Sequence, residues 1–256
     1  MIRVGVNGAG GRMGATVCRA VAADHDLELV AAVDLNATEA MVEGVASSSS
    51  PDAFAAAKCD VVVDFTVAQA ALETIPALLR QGINAVVGTT GLSEADVDSF
   101  ADAAADGGSN VLVAANFAIS AVLLMRLSEL AAPFFDSVEI IELHHDNKAD
   151  APSGTALATA DRIAAASPTW AADPTTNEVL PGARGGAGPA GIRVHAVRMR
   201  GMVAHQEVIF GASGQTLTLR QDSYDRESFM PGVLLACKRI GDVPGLTRGL
   251  DALLDL

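Results

Sequence analysis

The feature that most constrains this chain lies in its first fourteen residues. An apolar run, Ile2–Asn7, leads directly into Gly8-Ala9-Gly10-Gly11-Arg12-Met13-Gly14, and an Ala-rich stretch with helical spacing follows over residues 14–23. Gly8, Gly11 and Gly14 recur at every third position, with Gly10 giving a second way to count the motif. A β-carbon at these positions would block a tight strand-to-helix turn and keep a pyrophosphate away from the backbone. Without one, the free N–H groups at the positive end of the helix can take the phosphates. A second apolar run over residues 27–34 ends in Asp34, about 20 residues past the last glycine, where a carboxylate meets the adenosine ribose. Strand, glycine turn, helix and acid-tipped strand predict a dinucleotide site built on Gly8, Ala9, Gly10, Gly11, Arg12, Met13 and Asp34. A carboxylate at 34 accepts from both ribose hydroxyls and repels a 2′-phosphate, and Leu35 brings no compensating charge. The expected cofactor is therefore NADH, with Arg12 in the loop leaving dual use with NADPH open.

Further Val-rich runs at residues 61–65, 85–88 and 111–115 alternate with helix-like segments at 67–81 and 94–106. This alternation predicts an α/β fold whose N-terminal part is a Rossmann-type doubly wound parallel sheet. Residues 47–51 read as a small polar linker within it. Ligands of such sheets sit beyond the carboxyl ends of the strands. Two strand ends fit: Gly88-Thr89-Thr90-Gly91 and Ala114-Ala115-Asn116-Phe117. Each suits a nicotinamide ring, and each equally suits a plain helix entry capped by Thr90 or Ser93. Asp64-Phe65-Thr66 either lines the same cleft or simply packs.

The pattern changes after Asn116. A strand is expected over Ser137–His144, a helix over residues 153–166, and a Pro/Gly-rich loop over 167–191. Three β-like runs at 192–200, 203–210 and 215–222 read as consecutive hairpins, so the second domain is α+β with a mostly antiparallel sheet. The tail from 228 to 256 looks helical and returns to the first domain. The expected domains are 1–118, completed by 228–256, for the dinucleotide, and 119–227 for the substrate.

Composition excludes several classes. With 17 Lys and Arg against 31 Asp and Glu, the formal charge is −14, which repels phosphate backbones and anionic lipid, so neither nucleic acid nor membrane is an expected partner. Cys18, Cys59 and Cys237 are scattered and include no C-x-x-C pair; they read as reduced structural thiols in a cytoplasmic protein.

The densest chemistry lies in Glu142-Leu143-His144-His145-Asp146-Asn147-Lys148-Ala149-Asp150-Ala151-Pro152-Ser153-Gly154-Thr155-Ala156. It holds two of five histidines and one of three lysines beside a helix start. Ser153 reads as an N-cap, with the N–H groups of Gly154 and Thr155 forming an anion site suited to a carboxylate. Lys148 adds a cation, and an imidazole gives or takes a proton near neutral pH. A metal reading finds no third ligand at suitable spacing, so no metal is expected. Polar loop histidines and a bare helix cap are the remaining alternatives. His25, His195 and His205 lack such company and read as surface or strand residues.

In order, the glycine turn, Asp64-Phe65-Thr66, Val87-Gly88-Thr89-Thr90-Gly91, Asn116-Phe117 and the run from Glu142 to Ala156 resemble the dihydrodipicolinate reductase (4-hydroxy-tetrahydrodipicolinate reductase) family of lysine and diaminopimelate biosynthesis, over essentially the full length. The resemblance implies hydride transfer from NADH or NADPH to a cyclic unsaturated dicarboxylate. It implies His144 as proton donor/acceptor, Lys148 as proton donor, and His145, Gly154 and Thr155, helped by Ser153, as substrate holders. It further implies Gly88, Thr89, Thr90, Ala114, Ala115, Asn116 and Phe117 at the dinucleotide, and a homotetramer built through the second domain's sheet. Many members carry Glu-Arg where this chain has Asp34-Leu35, which argues against a strong NADPH preference.

Overall fold

The structure, a computed structural model, describes residues 1–37 and 40–254. In chain order its elements are β1 (Ile2–Asn7), α1 (Arg12–Ala23), β2 (Leu27–Val33), β3 (Met41–Val42), β4 (Val45–Ser48), α2 (Asp52–Ala56), β5 (Val61–Asp64), α3 (Ala68–Arg80), β6 (Asn84–Val87), α4 (Glu94–Gly107), β7 (Val111–Val113) and α5 (Ile119–Ala131). There follow β8 (Ser137–His144), α6 (Gly154–Ala166), β9 (Gly186–Ala187), β10 (Arg193–Arg198), β11 (Ala204–Ala212), β12 (Gln215–Ser223), α7 (Met230–Arg239) and β13 (Leu246–Arg248). The chain forms two compact units, Met1–Ile119 with the segment from Arg226 onward, and Ser120–Asp225.

The first unit is a sheet in the order β13-β7-β6-β5-β1-β2-β4-β3. Every pairing is parallel except the β3–β4 hairpin at one edge. Its central strands are covered on both faces, which is why they read as unbroken Val runs; Val61, Val62 and Val63 are wholly buried. Phe54, Ile75, Leu79 and Phe100 fill one side of the sheet. α4 starts with a capping box, Ser93 Oγ accepting from Asp96 N at 3.2 Å while the Asp96 carboxylate accepts from Ser93 N at 2.8 Å.

Two expectations fail here. Residues 47–51 are no linker: Ser47 and Ser48 belong to β4, which pairs parallel with β2, and Pro51 caps α2. The tail is not simply helical, because after α7 the short β13 pairs parallel with β7 and extends the sheet. Strands of two to four residues carry too little alternation to be seen in sequence.

The second unit is a sheet in the order β12-β11-β8-β10-β9. It is antiparallel except for β8 and β10, which run parallel. Of the expected consecutive hairpins only β11–β12 exists. β10 pairs with β8 instead of β11, because the chain between β8 and β10 passes through α6, the crossover that a parallel pair requires. One sheet face packs against α6: Ile140, Val194, Val208 and Phe210 meet Ala156, Ala160 and Ile163. Truncating wholly buried Ile140 to Ala removes packing that nothing nearby can refill. Urea unfolding of Ile140→Ala is expected to show a loss of about 2–5 kcal/mol.

Candidate active site

In the first unit, β1 ends where the chain must turn sharply into α1. Gly8 takes a φ of +82°, and its N–H and that of Ala9 donate to the Val33 carbonyl at 2.8 and 3.0 Å. Gly14 lies so close to this turn that a Cβ there would stand 2.0 Å from the Gly8 oxygen, and a Cβ on Gly8 would stand 2.7 Å from the Phe65 carbonyl. The turn is thus a cradle that side chains would fill. Gly11 caps α1 without a side chain, and the first turn of α1 carries no acid, so its positive end is uncompensated. Asp34 lies across the turn, Oδ2 accepting from Gly10 N at 3.0 Å and Oδ1 from Asn36 N at 2.9 Å.

Three hollows open around this turn. One of about 650 Å³ is walled by Gly8, Gly11, Asp34, Leu35 and Val67, among others. A second, of about 330 Å³, touches Ala9, Gly10, Gly11 and Asp34. A third, of about 290 Å³, is walled by Met13, Gly88, Thr89, Thr90, Ala115 and Phe117, together with Phe65, Thr66 and Phe229. Three of the sequence-derived residues lie outside these walls. Arg12 is exposed on α1, Ala114 is buried with its N–H on the Val87 carbonyl, and Asn116 Oδ1 accepts from Ala118 N at 2.9 Å.

Asp64 organises the third hollow. Its wholly buried carboxylate accepts from Asn7 Nδ2 at 2.6 Å, from Thr66 N at 3.3 Å and Oγ1 at 2.9 Å, and from Thr89 Oγ1. Thr89 Oγ1 in turn accepts from Thr66 N at 2.8 Å. Strand ends β1, β5 and β6 are thereby joined just below the pocket floor. Gly88 is needed for packing, since a Cβ there would lie 2.1 Å from the ring of Phe65, which stands edge-on to Phe117 at 5.7 Å.

In the second unit, β8 delivers Glu142 and His144 at its end, and α6 starts ten residues beyond His144. Ser153 caps α6, its Oγ accepting from Ala156 N at 3.2 Å, as the sequence predicts. A Cβ on Gly154 would meet nothing within 4 Å, so the approach to this helix start is open. The Glu142 carboxylate is wholly buried and takes a donor in every direction. Oε2 accepts from His144 Nδ1 and from Arg198 Nη1 at 2.8 Å; Oε1 accepts from Arg198 Nη2 at 2.8 Å and from Ser153 N at 3.1 Å. Burial alone would raise the Glu142 pKa; the Arg198 and His144 bonds overcome it and leave the group below its ordinary value. Burial lowers the His144 pKa, against the pull of Glu142 and with help from Lys148 and Arg198. Lys148 Nζ sits on both oxygens of Asp150 at 2.8 and 2.9 Å, and the Asp150 carbonyl accepts from Arg198 Nη2 at 2.6 Å. His145 is exposed beside this group.

Sequence reasoning missed Arg198 altogether, and gave Glu142, Asp150 and Phe229 no part. Arg198 lies directly across from His144 in the parallel β8–β10 register, a neighbourhood that exists only once that pairing is known. His195 and His205 are strand residues, but not without company: His195 Nε2 meets Glu139 at 2.8 Å and buried His205 Nδ1 meets Asp222 at 2.7 Å. The three thiols are free and buried, each pushed up to about 12 by burial. Among the described residues no group of three or more His, Cys, Asp or Glu is placed to hold a metal ion, and no helix is long and apolar enough to cross a membrane.

A parallel sheet with a glycine cradle at its first strand end, joined in one chain to an α+β unit carrying a carboxylate-held imidazole and an ammonium, defines an NAD(P)H-dependent oxidoreductase of two-unit design. Family models described as dihydrodipicolinate reductase, N-terminus and C-terminus, match residues 2–117 and 120–254. The 4-hydroxy-tetrahydrodipicolinate reductases of Nocardia farcinica and Thermobifida fusca are each 51% identical to this chain over its whole length, covering 99% and 100% of their own. A solved dipicolinate-bound dihydrodipicolinate reductase from Paenisporosarcina sp. TG-14 superposes with a TM-score of 0.90 at 38% identity, covering 98% of this chain and 99% of that one. The chain belongs to the dihydrodipicolinate reductase family.

The depressed Glu142 pKa makes an acid-side prediction. Its stabilising contribution is complete above the unfolded glutamate value of about 4.3 and is lost as pH falls through the lower folded value. Glu142→Gln leaves Arg198 without its buried partner, so it is expected to be about 3–5 kcal/mol less stable at pH 7. Urea titrations should show the gap to wild type narrowing below about pH 4.

Proposed function

We propose that this protein reduces 4-hydroxy-tetrahydrodipicolinate, a cyclic unsaturated dicarboxylate, to tetrahydrodipicolinate for lysine and diaminopimelate synthesis, with residues 1–118 and 228–256 holding the dinucleotide and 119–227 the substrate. The observation that carries it is the imidazole of His144, held by Glu142, sharing one short run with an ammonium and an open helix N-terminus. A dianionic ring would meet there a proton source and positive charge, and the related Paenisporosarcina reductase has been solved with dipicolinate bound, a ring of this class.

The glycine cradle fits a dinucleotide, and when bound that group supplies the hydride. Gly8, Ala9, Gly10, Gly11, Arg12 and Met13 would hold its pyrophosphate, and Asp34 its adenosine ribose. Gly88, Thr89, Thr90, Ala115 and Phe117, which wall the third hollow, would hold the nicotinamide, with Ala114 and Asn116 shaping the segment behind them. His145, Ser153, Gly154 and Thr155 take the substrate carboxylates at the start of α6. Lys148 exchanges Asp150 for the substrate, neutralising charge and serving with His144 as proton donor.

Cofactor choice falls to NADH, with NADPH as the poorer substitute. Asp34, Asp52 and Glu73 line the hollow of about 650 Å³, and no Lys or Arg is among its described walls, so a 2′-phosphate there would find like charge. For assembly, the sheet face turned away from α6 carries Ile141, Leu143, Val197 and Ile209, all half-buried. These apolar side chains, interspersed with Glu139, His195 and Glu207, support a homotetramer built through that face. Unpaired buried thiols support a cytoplasmic location.

Two experiments test the reading. Supplied with the product of the aldol-condensing synthase that precedes it, the protein should oxidise NADH rapidly, and a related amino-acid dehydrogenase activity would leave that substrate untouched. In the same assay His144→Gln and Lys148→Ala should each lose on the order of 100- to 10,000-fold in turnover while still binding NADH; near-normal rates in both would refute the assignment. Comparing cofactors, kcat/KM should favour NADH, and Asp34→Ala should narrow the ratio about tenfold by removing one like charge from the 2′-phosphate.

A further inference from the structure

We infer that Glu142 is a positioning residue for the proton transfer: its carboxylate fixes His144 as the Nδ1–H form, leaving Nε2 as the atom that exchanges a proton with substrate, and through Arg198 it holds the loop that carries Lys148. The inference rests on the reading of His144 given above and extends it to a residue to which that reading gives no chemistry.

The geometry leaves little freedom. An ionised carboxylate offers about four acceptor directions and no proton. All four are taken at Glu142, by His144 Nδ1, by both terminal nitrogens of Arg198, and by Ser153 N. Arg198 is always charged, so the carboxylate between it and His144 stays ionised at neutral pH. It can only accept, and Nδ1 must therefore donate. The neutral ring then carries its lone pair on Nε2, and the imidazolium carries its transferable proton there. In the opposite tautomer Nδ1 would turn a lone pair on the carboxylate, and Nε2, already protonated, would have no lone pair with which to accept a proton.

The same carboxylate reaches Lys148 in two steps. Arg198 Nη2, seated on Glu142 Oε1 at 2.8 Å, also donates to the Asp150 carbonyl at 2.6 Å, and the Asp150 side chain holds Lys148 Nζ at 2.8 and 2.9 Å. Glu142 thus ties the end of β8, the end of β10, the cap of α6 and the lysine loop to one point. The charged groups acting on His144 are Glu142 from its own strand, Lys148 from the following loop and Arg198 from β10. Glu142 alone among them favours the imidazolium.

The first test uses the unaltered full-length protein. With 15N-labelled histidine, the His144 signals, identified by their absence in His144→Gln, should show the Nδ1–H tautomer once the ring is neutral; an Nε2–H ring overturns the inference, and this result does not depend on any Glu142 variant folding. The second test is the pH profile of kcat/KM. In Glu142→Gln the limb reporting protonated His144 should move to lower pH by about one unit, because the one group favouring the imidazolium is gone, and turnover at neutral pH should fall about 10- to 100-fold. Glu142→Asp keeps the charge and should return the limb to its wild-type position while turnover stays reduced. A loss of turnover with an unmoved limb in Glu142→Gln would mean a merely structural role and would overturn the inference. A fully active His144→Gln would instead overturn the underlying reading of His144, an outcome distinct from an inactive His144→Gln beside that unmoved limb.

Discussion

A carboxylate taken out of water must be given a hydrogen-bond donor in nearly every direction, and each unit of this protein is organised around one such demand. Asp64 and Glu142 are both wholly buried at or near the end of a strand. Asp64 meets the demand with neutral donors, Asn7, Thr66 and Thr89, which belong to or directly follow three adjacent strands. Glu142 meets it with a guanidinium, an imidazole and a backbone N–H from three different elements. The difference in donors suits the role proposed for each place: neutral hydroxyls and an amide would give a nicotinamide pocket fixed walls and little net field, and a carboxylate kept ionised by Arg198 would bias a proton-transferring imidazole.

The acidic character of the chain acts locally as well as globally. The hollow beside the glycine turn has carboxylates at Asp34, Asp52 and Glu73, the like charge on which the proposed preference for NADH rests. The positive end of α1 faces the turn itself, a few residues away.

Features set by neighbouring residues were legible in the sequence. The glycine turn, the Val runs of β1, β2 and β5, and the cap at Ser153 each depend on residues adjacent in the chain, where steric demand and hydrogen-bond geometry are local. The run from Glu142 to Ala156 was legible for the same reason, as a concentration of titratable groups at a helix start. What stayed hidden depends on pairing. Arg198 looks like one more basic strand residue until β10 is laid parallel to β8, and the alternation of residues 192–200 is equally compatible with a hairpin to β11. The edge strands β3, β4 and β13 are too short to carry a period, and they are held by the sheet they join rather than by their own preference. Asp64 was visible as a strand-end acid, but its part in joining three strands could not be read without knowing that β6 lies next to β5.

The placement of the cysteines has a practical side. Cys18, Cys59 and Cys237 all belong to the first unit, and the second has none. With each thiol pushed up to about 12, only on the order of one in 100,000 is thiolate at pH 7, and none faces solvent. Alkylating reagents can therefore reach them only when the surrounding fold comes apart. The molecule carries its own clock for the opening of one lobe, silent toward the other, so the rate of thiol labelling with and without nucleotide would time how strongly that lobe is fastened.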